Sequence, residues 1–552
     1  MKHVGDISHE MCTGCKMCGD ICPQKAISFR EDSEGFWYPE VRPDMCTECG
    51  LCARKCPSIH AESATSFFPA QVYAAWSKDE ALRLESTSGG IFGELARHIL
   101  NEGGLVAGSR YGSDWKSAEH ILVHDKAELA QICGSKYFQS NTAGIYKAVK
   151  TELLSGKTVL FCGTPCQNAA LGVFLGKEYE NLIRVDFICR SINSPLAFRE
   201  YLTELEGQYG SEVVRVHLKD KTLGWQSLAS HVWFANGQEY LKDRDSDFWV
   251  KGFIAHDLYT RESCYSCPYR TLPRTAADIT IGDFWGIRNQ KAEDMRKGIS
   301  VVLVNSEKGS KLFHAVREHL EIEEHSVEDA LPGNPALLKN PVLTKKRERF
   351  FKLIHERPFS AVVRQLSRPT LQSRLFAAVR RARNVFHTAK NLNLSIPKCV
   401  YYNFFSPNIV RDRGSYLLAH KGAVLDFHPS ARLYLHGKHL EIGHNQLKGS
   451  KYETHVRMEQ GAVWNCNNGG LLFYNTVLEV KKNAVLDTGF FSANGGSVII
   501  ADKHITLGED VMIGRNVIIY IFGVNGLQSI RRSGIIRRKT HDKGEHLWKT
   551  KC

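Results

Sequence analysis

Two stretches near the start of the chain carry the same arrangement of thiols: MCTGCKMCGDICP from Met11 and MCTECGLCARKCP from Met45. Cys12, Cys15, Cys18, Cys22 and Pro23 form C-x2-C-x2-C-x3-C-P, and Cys46, Cys49, Cys52, Cys56 and Pro57 repeat it. Three thiolates at this spacing on a tight loop grip three corners of a cubane, and the fourth iron is reached by a cysteine of the other motif. The spacing therefore predicts one 4Fe-4S cluster on Cys12, Cys15, Cys18 and Cys56, and a second on Cys46, Cys49, Cys52 and Cys22. Zinc takes four ligands, commonly as two pairs, and eight cysteines in a doubled pattern suit it poorly.

Residues 1–60 resemble bacterial two-cluster ferredoxins over nearly their whole length. The resemblance implies a module that folds around its clusters, has little core without them and passes single electrons. EGFWYPEVRP (residues 34–43) separates the motifs and predicts a short hairpin with a glycine turn.

The small, polar residues 61–80 read as a connector, and from 86 to 335 the texture is α/β. STSGGIFGELARHILNEGG (86–104) predicts a glycine turn, a helix and a Gly-Gly stop, followed by a strand at LVAGSRY (105–111). GIYKAVKTELLSG (144–156) is an amphipathic helix leading into the apolar strand of TVLFCGTPCQ (158–167). NLIRVDFIC (181–189) and DITIGDFWGI (278–287) predict further strands. Chemistry at the carboxyl ends of such strands is what open α/β sheets favour. No G-x-G-x-x-G follows a strand, so any flavin or nicotinamide is held without that fingerprint.

SGG (88–90), GSKYFQS (134–140), GTPCQ (163–167), ICRS (188–191), CYSCP (264–268) and DITIGDFWG (278–286) follow one another in this order. Together they resemble the family of the coenzyme F-420 hydrogenase/dehydrogenase beta subunit, over about residues 70–330. The resemblance implies an iron-sulfur flavoprotein domain in two parts, residues 70–150 and 151–335, with FAD near Ser88, Gly89, Gly90, Gly134, Ser135, Lys136 and Tyr137. Backbone amides at SGG and the Lys136 ammonium suit a pyrophosphate. It also implies a third 4Fe-4S site on Cys166, Cys189, Cys264 and Cys267, while Cys162 stands where the family fixes no cysteine. Arg190 and Ser191 replace the usual His and Gly, a departure that bears on substrate or cluster environment. A flavin beside clusters converts between one-electron and two-electron carriers.

Residues 341–400 are strongly basic with helical periodicity at Val363, Leu366, Leu371, Leu375 and Val379, and read as a solvated helical linker. Such a segment also suits peripheral contact with anionic lipid. From 420 to 520 glycine, asparagine and β-branched residues recur at short spacing. In ITLGEDVMIGRNVII, Ile505, Val511 and Val517 stand six apart, as do Gly508 and Gly514. Hexads of this kind are the mark of a β-helix, with the repeated aliphatic pointing inward. The domain resembles hexapeptide acyltransferases, which implies a left-handed β-helix and transfer of an acyl group to a sugar. The Asp/His loop such enzymes need is absent after Tyr520, and the basic tail 521–552 reads as a truncated or frame-shifted end. Acetyltransferase activity is therefore not expected.

Over 552 residues this texture predicts a multidomain α+β chain: ferredoxin-like module, α/β flavin domain, basic helical linker and β-helix. The net charge of +13 is local, since residues 341–400 and 521–552 carry more than all of it. It gives the folded domains no nucleic-acid role. No apolar run approaches a membrane span and no signal segment opens the chain, so clustered thiols at this spacing predict metal ligands in a reducing cytoplasm. The leading expectation is an oxidoreductase that passes electrons between 4Fe-4S clusters, FAD and a small organic or deazaflavin acceptor. Its partners would be that small molecule and a redox protein such as a ferredoxin or a dehydrogenase subunit. A setting in polysaccharide biosynthesis is suggested by the fused β-helix alone. The alternatives are an electron-transfer subunit without its own substrate site and a redox-linked sugar acyltransferase.

Overall fold

The computed structural model describes residues 2–60, 71–274, 276–288, 290–368, 393–445, 452–521 and 537–538, in two compact units divided between Arg368 and Pro369. Most of the 521–552 tail and residues 369–392 of the basic segment lie outside the described residues. Among the described residues no helix is long and apolar enough to cross a membrane.

In the front unit, β1 (Ile27–Glu31) and β2 (Trp37–Val41) pair antiparallel, the predicted hairpin. Gly35 turns it at φ 85°, where a Cβ would run into Leu196 of the following domain. The module's own buried cluster is small: Val4, Ile7 and Ala53 with the side chains of Cys12, Cys52 and Cys56. Half of that core is cysteine, so its cohesion depends on what the thiols hold.

The α/β part contributes β3 (Gln71–Ser77), β4 (Leu105–Tyr111), β5 (Ala118–Val123), β6 (Val159–Gly163), β7 (Leu182–Phe187), β8 (Val213–Asp220), β9 (Ala229–Phe234), β10 (Glu239–Lys242), β11 (Ile279–Asp283), β12 (Ser300–Val304) and β13 (Leu320–His325). Eight of these form one sheet in the order β13-β3-β12-β11-β7-β6-β4-β5. Its centre, β11-β7-β6-β4, is parallel, and both flanks are antiparallel. The central strands are buried on both faces, which is why Val159, Leu160, Phe161 and Val185 make near-continuous apolar runs. The predicted helices form at Ile91–Asn101 and Ile145–Leu154. The strands β8, β9 and β10 form a separate antiparallel sheet that the sequence did not announce.

Residues 345–367 depart from the solvated linker expected of them. Helices Lys345–Leu353 and Phe359–Ser367 bury Phe350, Phe351, Phe359, Val362, Val363 and Leu366 in one cluster with Phe36, Phe198, Trp249 and Tyr259. The basic side chains mask an apolar face, and Arg347 is itself buried, donating to the Thr260 carbonyl and pairing with Glu34 of the cysteine module. Phe350→Ala is expected to destabilise the front unit by about 3–5 kcal/mol, read by urea unfolding. A solvated linker would leave the midpoint unmoved.

In the second unit every strand ladder from Ile409 to Ile521 is parallel, stacked into three sheets, a β-helix-like architecture. Leu433, Trp464, Leu486 and Ile505 stack on one inner face, and Ala419, Ile442, Leu472, Ala493 and Ile513 on another. Ile505 and Val517 are buried as the hexads predict, but the fully buried residue between them is Ile513 rather than the half-buried Val511. Two corners are turned by stacked left-handed residues, Gly461 against Asn483 at one and Gly496 against Asn516 at another, while Gly508 at the third has open space around it.

Candidate iron-sulfur centres

The first cysteine loop brings three thiols together within seven residues because Gly14 and Lys16 take left-handed conformations and fold it back on itself. Cys12, Cys15, Cys18 and Cys56 line one cavity, together with Thr13, Met17, Trp37 and Pro57. A second cavity is lined by Cys22, Cys46, Cys49 and Cys52, with Pro23 and Ile27. Each cavity thus takes three thiols from one motif and one from the other. All these cysteines are free. Burial, with Cys56 and Cys12 alongside, pushes Cys15 up to about 12, and burial and the neighbouring thiols carry Cys18 far above its usual range. Crowded, dehydrated thiols of this kind lose their protons when a cationic centre sits among them, so the donor set fits an iron-sulfur group.

The third cavity lies at the carboxyl ends of the parallel strands. Thr164 caps helix Pro165–Leu175 through a reciprocal bond with Gln167, and Pro165 opens the first turn. Cys166 is therefore fixed in that first turn, just past β6, where the helix dipole favours negative charge. Cys189 follows the end of β7, and Cys264 and Cys267 come from a 3-10 turn at Glu262–Ser266 and its end. These four line a common cavity with Thr13, Ile192, Tyr269, Arg270 and Arg274. Burial and Cys267 push Cys264 up to about 11. Cys162 is absent from that lining. It sits nearer Asp186 and Cys133, and burial pushes it up to about 12.

Thr13 lines both the first and the third cavity. Tyr269 also stands between them: its hydroxyl donates to the Pro57 carbonyl at 3.0 Å, and burial, then Cys166, Cys15, Cys267 and Cys56 in turn, push it upward. The first loop is held by the α/β part. Arg261 donates to the Cys12 carbonyl (2.8 Å), Gln139 to that of Gly14 (3.2 Å), and Thr142 and Tyr146 to that of Cys15 (2.7 and 2.8 Å). Lys16 reaches Asn141 at 2.9 Å and lies 3.7 Å over the Trp37 ring. Arg261 is a lone polar residue in irregular chain and carries no sequence signal, while Gln139 lies within the GSKYFQS stretch without being singled out there.

The residues assigned to a flavin fall on two neighbouring loops, bridged by Thr87 and Ser135 at 3.0 Å. Gly90 caps helix Ile91–Asn101 at φ 89°, the Gly89 amide donates to Ser300, and the Ser88 hydroxyl to the Ile299 carbonyl. Lys136, whose ammonium the sequence offers to a pyrophosphate, makes its hydrogen bonds to nearby carbonyls of its own chain segment. Its half-buried side chain donates to the carbonyls of Cys133 (2.7 Å), Gln131 and Gly134, and burial lowers it to about 8. The cation beside Ser88 is instead Lys221, which donates to the carbonyls of Ser88 and Arg83 and is lowered to about 7 by burial and by Lys219 and Arg83. Lys219 pairs with Asp283 next to Tyr137. The run KDK at 219–221, ending a strand, was the available clue.

Comparison with known proteins accords with this layout. Residues 11–59 match the 4Fe-4S dicluster domain, residues 72–147 the N-terminal part of the coenzyme F420 hydrogenase/dehydrogenase beta subunit, and residues 156–330 its C-terminal part. A subunit of the F(420)H(2) dehydrogenase of Methanosarcina mazei is 22% identical over 379 residues, spanning 65% of this chain and 96% of that protein. A chain of the F420-reducing NiFe hydrogenase complex from Methanosarcina barkeri matches at 16% identity and a TM-score of 0.34, covering 53% of this chain and 89% of its own length. The front of the chain therefore matches, in order, a 4Fe-4S dicluster domain and the N- and C-terminal domains of the coenzyme F420 hydrogenase/dehydrogenase beta subunit.

Proposed function

We propose that the chain is an electron-transfer iron-sulfur component of an oxidoreductase that works with a redox partner protein, in the manner of the F420-linked dehydrogenases it is similar to. The observation that carries this reading is the grouping of twelve cysteines into three cavities of four, two of them sharing Thr13. Cys12, Cys15, Cys18 and Cys56 hold one 4Fe-4S cluster, Cys22, Cys46, Cys49 and Cys52 a second, and Cys166, Cys189, Cys264 and Cys267 a third. When bound, such clusters supply one-electron transfer, and FAD exchanges single electrons with clusters and electron pairs with an organic acceptor. Thr13 and Tyr269 exclude water between the first and third cavities and set their separation. Arg270 and Arg274 bring positive charge to the third.

For the flavin, Lys221 is the supporting feature. It is a buried cation bonded to carbonyl oxygens rather than to a carboxylate, beside the Ser88–Gly90 turn, and a diphosphate there would restore its charge. The test uses anaerobically purified full-length protein mixed with reduced coenzyme F420 or with reduced ferredoxin. One of the two is expected to bleach the visible iron-sulfur absorbance. Protein that dithionite bleaches but neither donor touches would overturn the reading. Flavin released on denaturation, at about one per chain, is expected if FAD is resident.

A further inference from the structure

In the second unit, which contains none of the three cysteine cavities, two histidines converge on one carboxylate. His420 follows strand Leu417–Ala419, and Glu441 and His444 lie on strand Leu440–His444, its parallel neighbour. His420 Nε2 lies 2.6 Å and His444 Nδ1 2.7 Å from the same oxygen, Glu441 Oε1. One ligand atom from each residue lies within 4.8 Å of the other two.

The backbone is bent to make this happen. The ladder to the next coil slips register between Ile442 and His444, with Gly443 between them at φ 86°. A Cβ on Gly443 would meet the Cβ of His420 at 3.3 Å, so glycine also permits the close approach of the two strands. Without the slip, Glu441 and His444, three apart on a strand, would face opposite sides of the sheet. Bulges of this kind re-aim side chains next to functional sites. Phe473 of the next coil packs edge-on against the His444 ring and limits its swing.

The donor set is two imidazoles and a carboxylate. His420 is buried, the Glu441 side chain is 19% exposed and that of His444 37% exposed, so the group opens to solvent on one side. Three protein ligands of this type with one open position are what catalytic zinc sites use. Bonds of about 2.0–2.2 Å in a tetrahedral site put ligand atoms roughly 3.3 Å apart. The two contacts must open by about 0.6–0.7 Å, within the reach of small side-chain rotations.

We propose that His420, Glu441 and His444 bind a zinc ion, with water in the remaining coordination position. This site stands independently of the electron-transfer reading. The test uses full-length protein with its clusters intact, stripped of loosely held metal and dialysed against one equivalent of Zn2+. Elemental analysis is expected to give about one zinc per chain, and X-ray absorption at the zinc edge a shell of nitrogen and oxygen at about 2.0–2.2 Å without sulfur at about 2.3 Å. His444→Ala and the isosteric Glu441→Gln are each expected to weaken zinc binding at least tenfold, the scale on which even outer-shell partners act. Glu441→Gln preserves shape and so reads the metal rather than the fold. A sulfur shell, equal zinc in wild type and both variants, or no retained zinc would each overturn the proposal.

Discussion

Cys166→Ala is expected to lower the iron content of anaerobically purified protein from about 12 to about 8 atoms per chain. The eight front-module cysteines line cavities that Cys166 does not, so two clusters should remain and keep their signals. Cys166 is the most exacting of the third set. It sits in the first turn of a capped helix, bonded to Thr164 at 3.0 Å, and burial with Cys267, Cys189 and Cys264 nearby raises it well above its usual range. A cluster turns this crowd of thiols from a liability into a bonded set. Cys162→Ala is the control. It removes a thiol just four residues away, yet from outside the cavity, and iron should stay near 12. If wild type itself holds about 8, the third cavity has no cluster and the proposed route ends in the front module.

How far the sequence disclosed this centre depended on where its parts lie along the chain. The eight front cysteines are legible because each motif is local, and the exchange of Cys22 and Cys56 follows from the geometry of a short loop. The third set spans 102 positions from Cys166 to Cys267. It is assembled by β6 and β7 delivering their carboxyl ends side by side, and spacing alone has no access to that; the family resemblance supplied it. The strands and helices around it were legible through periodicity, because a parallel core buried on both faces writes apolar runs. Residues 345–367 misled because charge was dense enough to hide a buried face. Val363 and Leu366 were visible as a pattern, but Phe350 and Phe351 are adjacent and show no period. In the β-helix, the hexads were legible and the inward register was not, since coils with extra corner residues shift the buried position from Val511 to Ile513. His420 and Glu441 lie a full coil apart and left no signal at all.

Arg261→Ala is expected to cost at least about 3 kcal/mol and to loosen the first cluster before the second. The Arg261 side chain is fully buried. Its guanidinium donates to the Cys12 carbonyl at 2.8 Å and to Gln139 Oε1 and the Trp37 carbonyl at 3.2 Å each, while lying 4.2 Å from the Tyr38 ring. Truncation leaves three acceptors without a donor and removes the packing against two aromatic rings, Phe36 being the other. The effect falls on the first loop because its carbonyls, at Cys12, Gly14 and Cys15, draw their donors from the α/β part. A free-standing ferredoxin would satisfy them with its own chain or with water. Here the loop is completed by the domain that carries the third cavity, so the separation between the two sites is built into the hydrogen bonding. The measurement is loss of visible iron-sulfur absorbance during anaerobic urea titration. An early phase of about half the front-module signal is expected in Arg261→Ala, with the second cluster following later. Arg261→Lys keeps the charge but cannot reach three acceptors with one ammonium, and should recover little of the loss. Wild-type midpoints in both variants would mean that the front module stands on its own, and that its cluster spacing is not set by this contact.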